Sequence, residues 1–275
     1  MKDKRILTIQ DVSCLGQCSL TVALPILSAC GHETCILPTA LLSTHTGGDF
    51  HPTITHLADT MAGIREDWQS QGFKFDAVYT GYLGSIAAIE ETEKFVDTLL
   101  APGGKFIADP AMGDNGSLYP GLSAEYAEAM DNLCRKADVI LPNVTEAAIM
   151  TGETYREAPS KDDIERIMNK LDHPCTVLTG VGYQPEETGA VVLDHGVMSE
   201  YHHRKYPQMR HGTGDIFASA LVGAYLRGRD LLAAATIAAD MVCESILATG
   251  EDPEHWYGVK FEKAIPELIR RLESR

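Results

Sequence analysis

The sequence predicts an α/β domain built on a mostly parallel sheet with helices on both faces. Three observations carry that expectation. Short apolar runs bounded by turn residues alternate with longer segments of helical period along the 275 residues, the pattern of repeated β–α units. Polar residues collect just past the strand-like runs, at Asp11, Gly81, Asp109, Asn143 and Gly180, the edge where open α/β sheets bind ligands. No internal repeat, low-complexity tract or linker interrupts the chain, so a single domain over residues 1–275 is expected.

The elements follow in order. Residues 5–10 form the first strand, and a loop from Asp11 to Cys18 leads to a helix over 19–29 with Ser19 as N-cap and Gly31 after its end. A short strand at 34–37 precedes a polar loop, 38–50. Helix 53–70 and strand 76–80 follow, then Gly81-Tyr82-Leu83-Gly84 opens helix 85–100. Strand 105–108 ends in Asp109-Pro110, helix 123–136 leads to strand 138–141, and helix 161–171 precedes strand 176–179. Alternating runs at 188–194 and 196–203 predict an antiparallel hairpin. Helices at 213–227, 230–248 and 261–273 complete the chain.

Composition excludes several classes of function. The hydrophobic fraction of 44% and charged fraction of 23% are those of an ordinary globular protein. A formal net charge of −16 argues against a nucleic-acid or anionic-membrane surface. It leaves room for a nucleotide, which needs only local donors and a metal. Seven cysteines without a CxxC pair fit a reducing compartment. The amino-terminal residues have no signal-peptide pattern, and Asp240 and Glu244 interrupt the 232–249 run. The expectation is therefore a soluble, cytoplasmic protein with no membrane span.

The richest stretch is Gly212-Thr213-Gly214-Asp215, running into the small and apolar residues of 216–226. Glycines at a helix start permit positive φ and close approach of a ligand. The first helical N–H groups lack intrahelical partners and, with the dipole behind them, bind anions, phosphate above all. Asp215 fits such a site if it takes a proton from a nucleophile attacking that phosphate. It also fits as a plain acidic first-turn residue favoured by the dipole.

Other pieces carry two explanations each. Asp109, Asp114 and Glu146 are hard oxygen donors of the kind that hold Mg²⁺ directly or through water, whereas Asp114-Asn115-Gly116 is equally a turn. His45, Thr46 and Tyr82 offer hydrogen bonds and a ring face to a flat polar substrate, or else a surface loop and a half-buried tyrosine. His202 and His203 are strand neighbours on opposite faces and do not chelate together. No Walker loop, GxGxxG fingerprint or HExxH occurs.

Taken together, these stretches resemble the pyridoxal kinase family of the ribokinase-like superfamily. The matching pieces are Ile9-Gln10, Leu42-Ser43-Thr44-His45-Thr46-Gly47, Thr80-Gly81-Tyr82-Leu83-Gly84-Ser85, Asp109-Pro110-Ala111-Met112-Gly113-Asp114, Pro142-Asn143-Val144-Thr145-Glu146 and Gly212-Thr213-Gly214-Asp215. They stand in the family's order and spacing across nearly the whole chain. The resemblance implies a three-layer α/β/α domain that phosphorylates the 5′-hydroxymethyl group of a vitamin B6 vitamer with ATP. Asp215 would be the base, with the N–H groups of Gly212, Thr213 and Gly214 around the transferred phosphoryl group. Asp109, Asp114 and Glu146 would place Mg²⁺ and its waters. Asn143 and Thr179, with Glu146, would face the nucleotide phosphates. Thr46 would bond the pyridine nitrogen, His45 would lie by the ring substituents and Tyr82 would stack on the ring. A monovalent cation such as K⁺ and a homodimer are further implications.

Two departures concern substrate choice. Members with an Ile-Gln-Ser start carry serine where this chain has Asp11, and a carboxylate there repels a phenolate and favours a protonated phenol or the ammonium of pyridoxamine. The segment Leu15-Gly16-Gln17-Cys18-Ser19 is one residue shorter, and Cys18 replaces an apolar ring contact. The related hydroxymethylpyrimidine kinases typically carry cysteine after Gly-Thr-Gly, so Asp215 favours the B6 branch. A sugar or nucleoside kinase fits His45, Thr46 and Tyr82 less well. A non-catalytic pyridoxal phosphate-binding protein would have no use for Asp215.

Overall fold

A computed structural model describes residues 4–46, 51–206, 211–252 and 254–274. Its frame is a nine-stranded sheet. The strands are β1 (Arg5–Leu15), β2 (Glu33–Thr44), β3 (Ile54–His56), β4 (Phe75–Thr80), β5 (Leu100–Ala108), β8 (Val139–Ile140), β9 (Cys175–Thr179), β10 (Glu187–Asp194) and β11 (Val197–Arg204), and a separate hairpin pairs β6 (Gly113–Asp114) with β7 (Ser117–Leu118). The order is β11-β10-β9-β8-β5-β4-β1-β2-β3. The six strands from β9 to β2 are mutually parallel; β10 at one edge and β3 at the other run against them, and β11 pairs antiparallel with β10.

Helices cover both faces. Alternate strand residues explain why: in β4, Ala77 and Tyr79 join one core with helices α1 (Leu20–Ala29), α7 (Thr213–Leu226) and α8 (Leu231–Thr249). Val78, and Phe75 beyond a register shift, join the other with α3 (Ile86–Leu99), α4 (Ala124–Cys134) and α6 (Lys161–Leu171). Helix α2 (Ala58–Ser70) adds Met61, α5 (Val144–Thr151) adds Ala147, and α9 (Ile265–Glu273) adds Leu268 to the first core. The three-layer arrangement is the expected one.

Several boundaries differ from the sequence expectation. Residues 11–15 are not a loop, because β1 continues to Leu15 beside β2, which itself runs to Thr44 through the predicted 38–50 loop. An extra residue in β2, where Thr39 and Ala40 stand against the single Asp11, resets the register from Gln10 opposite Pro38 to Val12 opposite Leu41, and such a bulge re-aims side chains locally. Helix 53–70 begins only at Ala58, since Ile54–His56 pairs with β2 instead. Helix α5 was not expected. The 261–273 segment splits into a 3₁₀ turn (Phe261–Lys263) and α9, with Pro266 in the first turn of the latter. By length and composition alone helix α8, with a mean hydropathy of 1.7, would pass for a membrane span in spite of Asp240 and Glu244, as the core helix of a globular domain also does. Its Ala234, Ala235, Ala238 and Met241 are buried in the core.

Local caps follow the sequence closely elsewhere. Ser85, Ser123 and Asp230 accept the third helical N–H of α3, α4 and α8. Helix α6 carries a full capping box, Ser160 with Asp163. Ser19 does not cap α1: it stands at φ 51° without a side-chain cap. Its hydroxyl turns to Asp11 instead.

Candidate active site

The carboxyl ends of β1, β2, β4, β5, β8 and β9 meet the amino ends of α5 and α7, and the expected site residues gather there. Asp215 is the third residue of α7, behind the N-cap Gly212. Gly212 has φ 79°, and a Cβ on it would lie 1.7 Å from the Gln17 carbonyl oxygen. Its lack of a side chain therefore serves a close approach to β1's neighbouring loop. Gly214 is different: nothing lies within 4 Å of where its Cβ would stand, so the space before α7 is open for a ligand. Gly212 provides no side-chain cap.

Asp215 is half-buried, and burial pushes its pKa up to about 7, with the charge of Asp11 adding to the shift. The Ser19 backbone N–H donates to it and opposes that rise, which the left-handed φ of Ser19 makes possible. Asp11 is itself buried, accepts from the Ser13 hydroxyl at 3.2 Å, and is raised by burial. Cys18 sits beside both carboxylates, and burial and their charges hold its thiol protonated.

Across the site, Asp109 accepts from the Ala111 N–H at 3.1 Å. Burial, then Glu146, then Asp215 raise its pKa. Glu146 is buried and pushed up to about 7, first by burial. Its Oε1 accepts from Met112 at 2.9 Å and Gly113 at 3.4 Å, and its Oε2 from Asn143 at 2.9 Å. Three backbone N–H groups thus hold it in place, which makes it a scaffold for the 112–113 loop. Asn143 returns the capping box by accepting the Glu146 N–H, and its Nδ2 donates to Gly113 at 2.8 Å. Thr179 bridges Asn143 from β9. Asp114 is exposed, caps Asn115 at 2.8 Å, and opens the β6–β7 turn through Asn115 (φ 51°) and Gly116 (φ 79°).

Asp109, Asp114 and Glu146 do not bring three ligand oxygens within 4.8 Å of one another, among the described residues. They do not form a closed cage for one ion. The fit to Mg²⁺ rests on the donor set: Glu146 and Asp215 raise the proton affinity of Asp109, Asp114 joins these three in acting on Tyr119, and no described cationic side chain pairs with Asp109. All-oxygen donors with unneutralised charge suit a hydrated ion that substrate phosphates help to hold.

The predicted ring-binding residues come from β2 and β4. His45 is buried, and burial and His211 lower its pKa to about 4, so it is neutral at pH 7. Its ring lies 4.3 Å from that of His211 and 5.9 Å from Trp256. Tyr82 is half-buried, stands 6.5 Å from the Tyr119 ring, and has its pKa raised by burial and Asp11. Thr46 is the last described residue before 47–50, so Gly47 of the quoted motif lies outside the described residues. Sequence reasoning passed over Trp256 and Tyr119, and weighed His211 only as a metal ligand beside His202 and His203. Only the proximity of His211 to the glycine turn could have signalled any of them.

The family model for phosphomethylpyrimidine kinase matches residues 27–259. A crystal structure of a putative phosphomethylpyrimidine kinase from Bacteroides thetaiotaomicron, in a form with pyridoxal, is 33% identical with a TM-score of 0.92, covering 97% of this chain and 96% of that one. Pyridoxal kinase from Lactobacillus plantarum is 31% identical with a TM-score of 0.86, covering 97% of each chain. A pyridoxine/pyridoxal/pyridoxamine kinase of Bordetella pertussis is 27% identical over 257 residues, 90% of this chain and 89% of its own. Hydroxymethylpyrimidine/phosphomethylpyrimidine kinases are similar as well. With a three-layer ribokinase-like fold and a family match across most of its length, this chain belongs to the phosphomethylpyrimidine kinase family and is a small-molecule kinase.

Proposed function

We propose that this kinase transfers the γ-phosphoryl group of ATP to the 5′-hydroxymethyl group of a vitamin B6 vitamer, with Asp215 as general base. The observation that carries this is Asp215 itself: a carboxylate at the open start of α7, with its pKa pushed up to about 7. A base works best with a pKa near the operating pH. Asp215 takes the hydroxyl proton as that oxygen bonds to the γ-phosphorus, and the bond to the β-phosphate oxygen breaks with release of ADP. The first N–H groups of α7 face the transferred group and stabilise its charge. Mg²⁺ would be held by Asp109 with Asp114 and the substrate phosphates, and would supply charge neutralisation for the transfer. His45, neutral at pH 7, and Tyr82 suit a flat heteroaromatic ring. Assembly as a homodimer, a K⁺ requirement and a role in cytoplasmic salvage of pyridoxal phosphate rest on the family likeness.

The rival substrate is hydroxymethylpyrimidine. Asp215 in place of the cysteine typical of that branch favours the B6 ring. Asp11 supports a vitamer that carries positive charge or a protonated phenol, because its buried carboxyl lies within electrostatic reach of Tyr82. A coupled ADP-release assay with Mg-ATP would compare pyridoxal, pyridoxine, pyridoxamine and hydroxymethylpyrimidine. Turnover on a B6 vitamer, led by pyridoxamine, is expected. Turnover on the pyrimidine alone would move the chain to thiamine synthesis, and a strong pyridoxal preference would remove Asp11 from ring recognition.

A further inference from the structure

Another cluster of reactive side chains lies at the far end of β9, and phosphoryl transfer makes no use of it. Cys175 opens β9, whereas Thr179 closes it at the kinase site. Antiparallel pairing sets Cys175 directly opposite Asp194, the last residue of β10. His195 and Gly196 then turn the chain into β11 with φ 47° and 88°. Cys175 Sγ lies 3.6 Å from Asp194 Oδ1 and 3.5 Å from His195 Nε2. The imidazole nitrogen lies 3.9 Å from that same oxygen. Among the described residues, this is the group of three potential ligands whose donor atoms fall within 4.8 Å of one another.

We propose that Cys175, Asp194 and His195 bind a borderline-soft divalent cation of the Zn²⁺ class at a site separate from the kinase centre. Thiolate, imidazole and carboxylate are the donors such an ion takes, at about 2.0–2.3 Å, and the three atoms share a centre at roughly 2.1 Å. The sulfur selects against Mg²⁺, which needs oxygen ligands. The imidazole is 78% exposed and the carboxylate 44%, so a fourth position faces water and the ion exchanges. His173 is not a further ligand, because both its ring nitrogens lie against backbone carbonyls, of Cys175 and Ala137.

The thiol proton leaves to solvent as the sulfur–metal bond forms. Binding competes with that proton, so affinity rises with pH. The titratable and charged neighbours are Lys105, Asp138 and Tyr225. Lys105 is already paired to Asp138 at 2.9 Å, so its charge is largely offset where the cation enters. Once bound, the ion ties the start of β9 to the β10–β11 turn.

The test titrates the full chain with Co²⁺, whose sulfur-to-metal absorption reports a cysteine ligand, and follows thermal unfolding with Zn²⁺. One Co²⁺ per chain with that absorption is expected, absent in Cys175→Ser. His195→Asn, which keeps a residue tolerant of positive φ, should lose at least about tenfold in affinity. Saturating Zn²⁺ should raise the wild-type Tm and leave both variants unmoved. A wild-type chain without the absorption at millimolar Co²⁺ overturns the proposal, as does undiminished absorption in Cys175→Ser. If Cys175→Ser does not fold, His195→Asn decides, and unchanged Co²⁺ affinity there overturns it.

Discussion

Helices α5 and α7 start alike. Each begins at the carboxyl edge of the sheet and carries a carboxylate at its third position, Glu146 in one and Asp215 in the other. Burial pushes both up to about 7. What separates them is the use of their lone pairs. Glu146 accepts three N–H groups from other residues and is returned a cap by Asn143. Asp215 has Ser19 as its donor from another segment, an N-cap with no side chain, and open space beside Gly214. The same helix start makes a scaffold when neighbouring donors claim the carboxylate, and a reagent when they leave it free.

Replacing the reagent should have the largest effect. Asp215→Asn is expected to lower kcat by about 10²–10⁴-fold, with the thermal midpoint unchanged or higher because a buried charge is removed. The pH dependence follows from the raised pKa. The base acts deprotonated, so kcat/KM should rise as pH increases through about 7. Stability runs the other way: a carboxyl bound to its proton up to pH 7 when folded, but only to about 4 when unfolded, makes the folded state lose ground between those values as pH rises. Both slopes should flatten in Asp215→Asn. A variant retaining wild-type kcat would end the contrast with α5.

Gly212→Ala comes next. The left-handed φ costs an alanine about 1–2 kcal/mol, and its Cβ would overlap the Gln17 carbonyl at 1.7 Å. Together these should cost at least about 2 kcal/mol, read as a lower denaturation midpoint with activity falling alongside. Unchanged stability would mean that the turn and residue 17 are not locked together.

The legibility of the sequence divides along the same line. The strand ends at 80, 108 and 179 were visible because each apolar run stops at a turn residue, and α6 announced itself through Ser160 and Asp163. Helix α5 was missed although Asn143 and Glu146 spell a capping box, since both were assigned to ligands and the eight residues Val144–Thr151 include β-branched ones. The extensions of β1 and β2 were hidden because each borrows its hydrogen bonds from a partner far along the chain. The carboxylates were legible as a group. Which of them is already occupied was not, because the Met112 and Gly113 N–H groups reach Glu146 from more than thirty residues away. The Cys175–Asp194–His195 cluster depends on strand register in the same way.

Glu146→Gln probes the scaffold. One amide oxygen replaces two carboxylate oxygens, and the amide N–H₂ then meets a backbone N–H it cannot accept. An unsatisfied buried donor costs about 1–3 kcal/mol, so the denaturation midpoint should drop by that much while kcat of the folded enzyme falls less than about tenfold. A loss of activity beyond about 10²-fold at unchanged stability would transfer Glu146 to the metal-binding chemistry and leave Asp109 without its partner scaffold.

Gly214→Ala should disturb the fold least and discriminate most finely. Its φ is not in the left-handed region and its Cβ would touch nothing, so stability should stay within about 0.5 kcal/mol, helped by alanine's better helix propensity. The added methyl group occupies only the space in front of α7. If the transferred phosphoryl group passes through that space, KM for ATP rises and kcat falls while the thermal midpoint holds. If neither constant moves, the anion approaches from the Gly212 side, and the open start of α7 is an accident of packing rather than the counterpart of the capped start of α5.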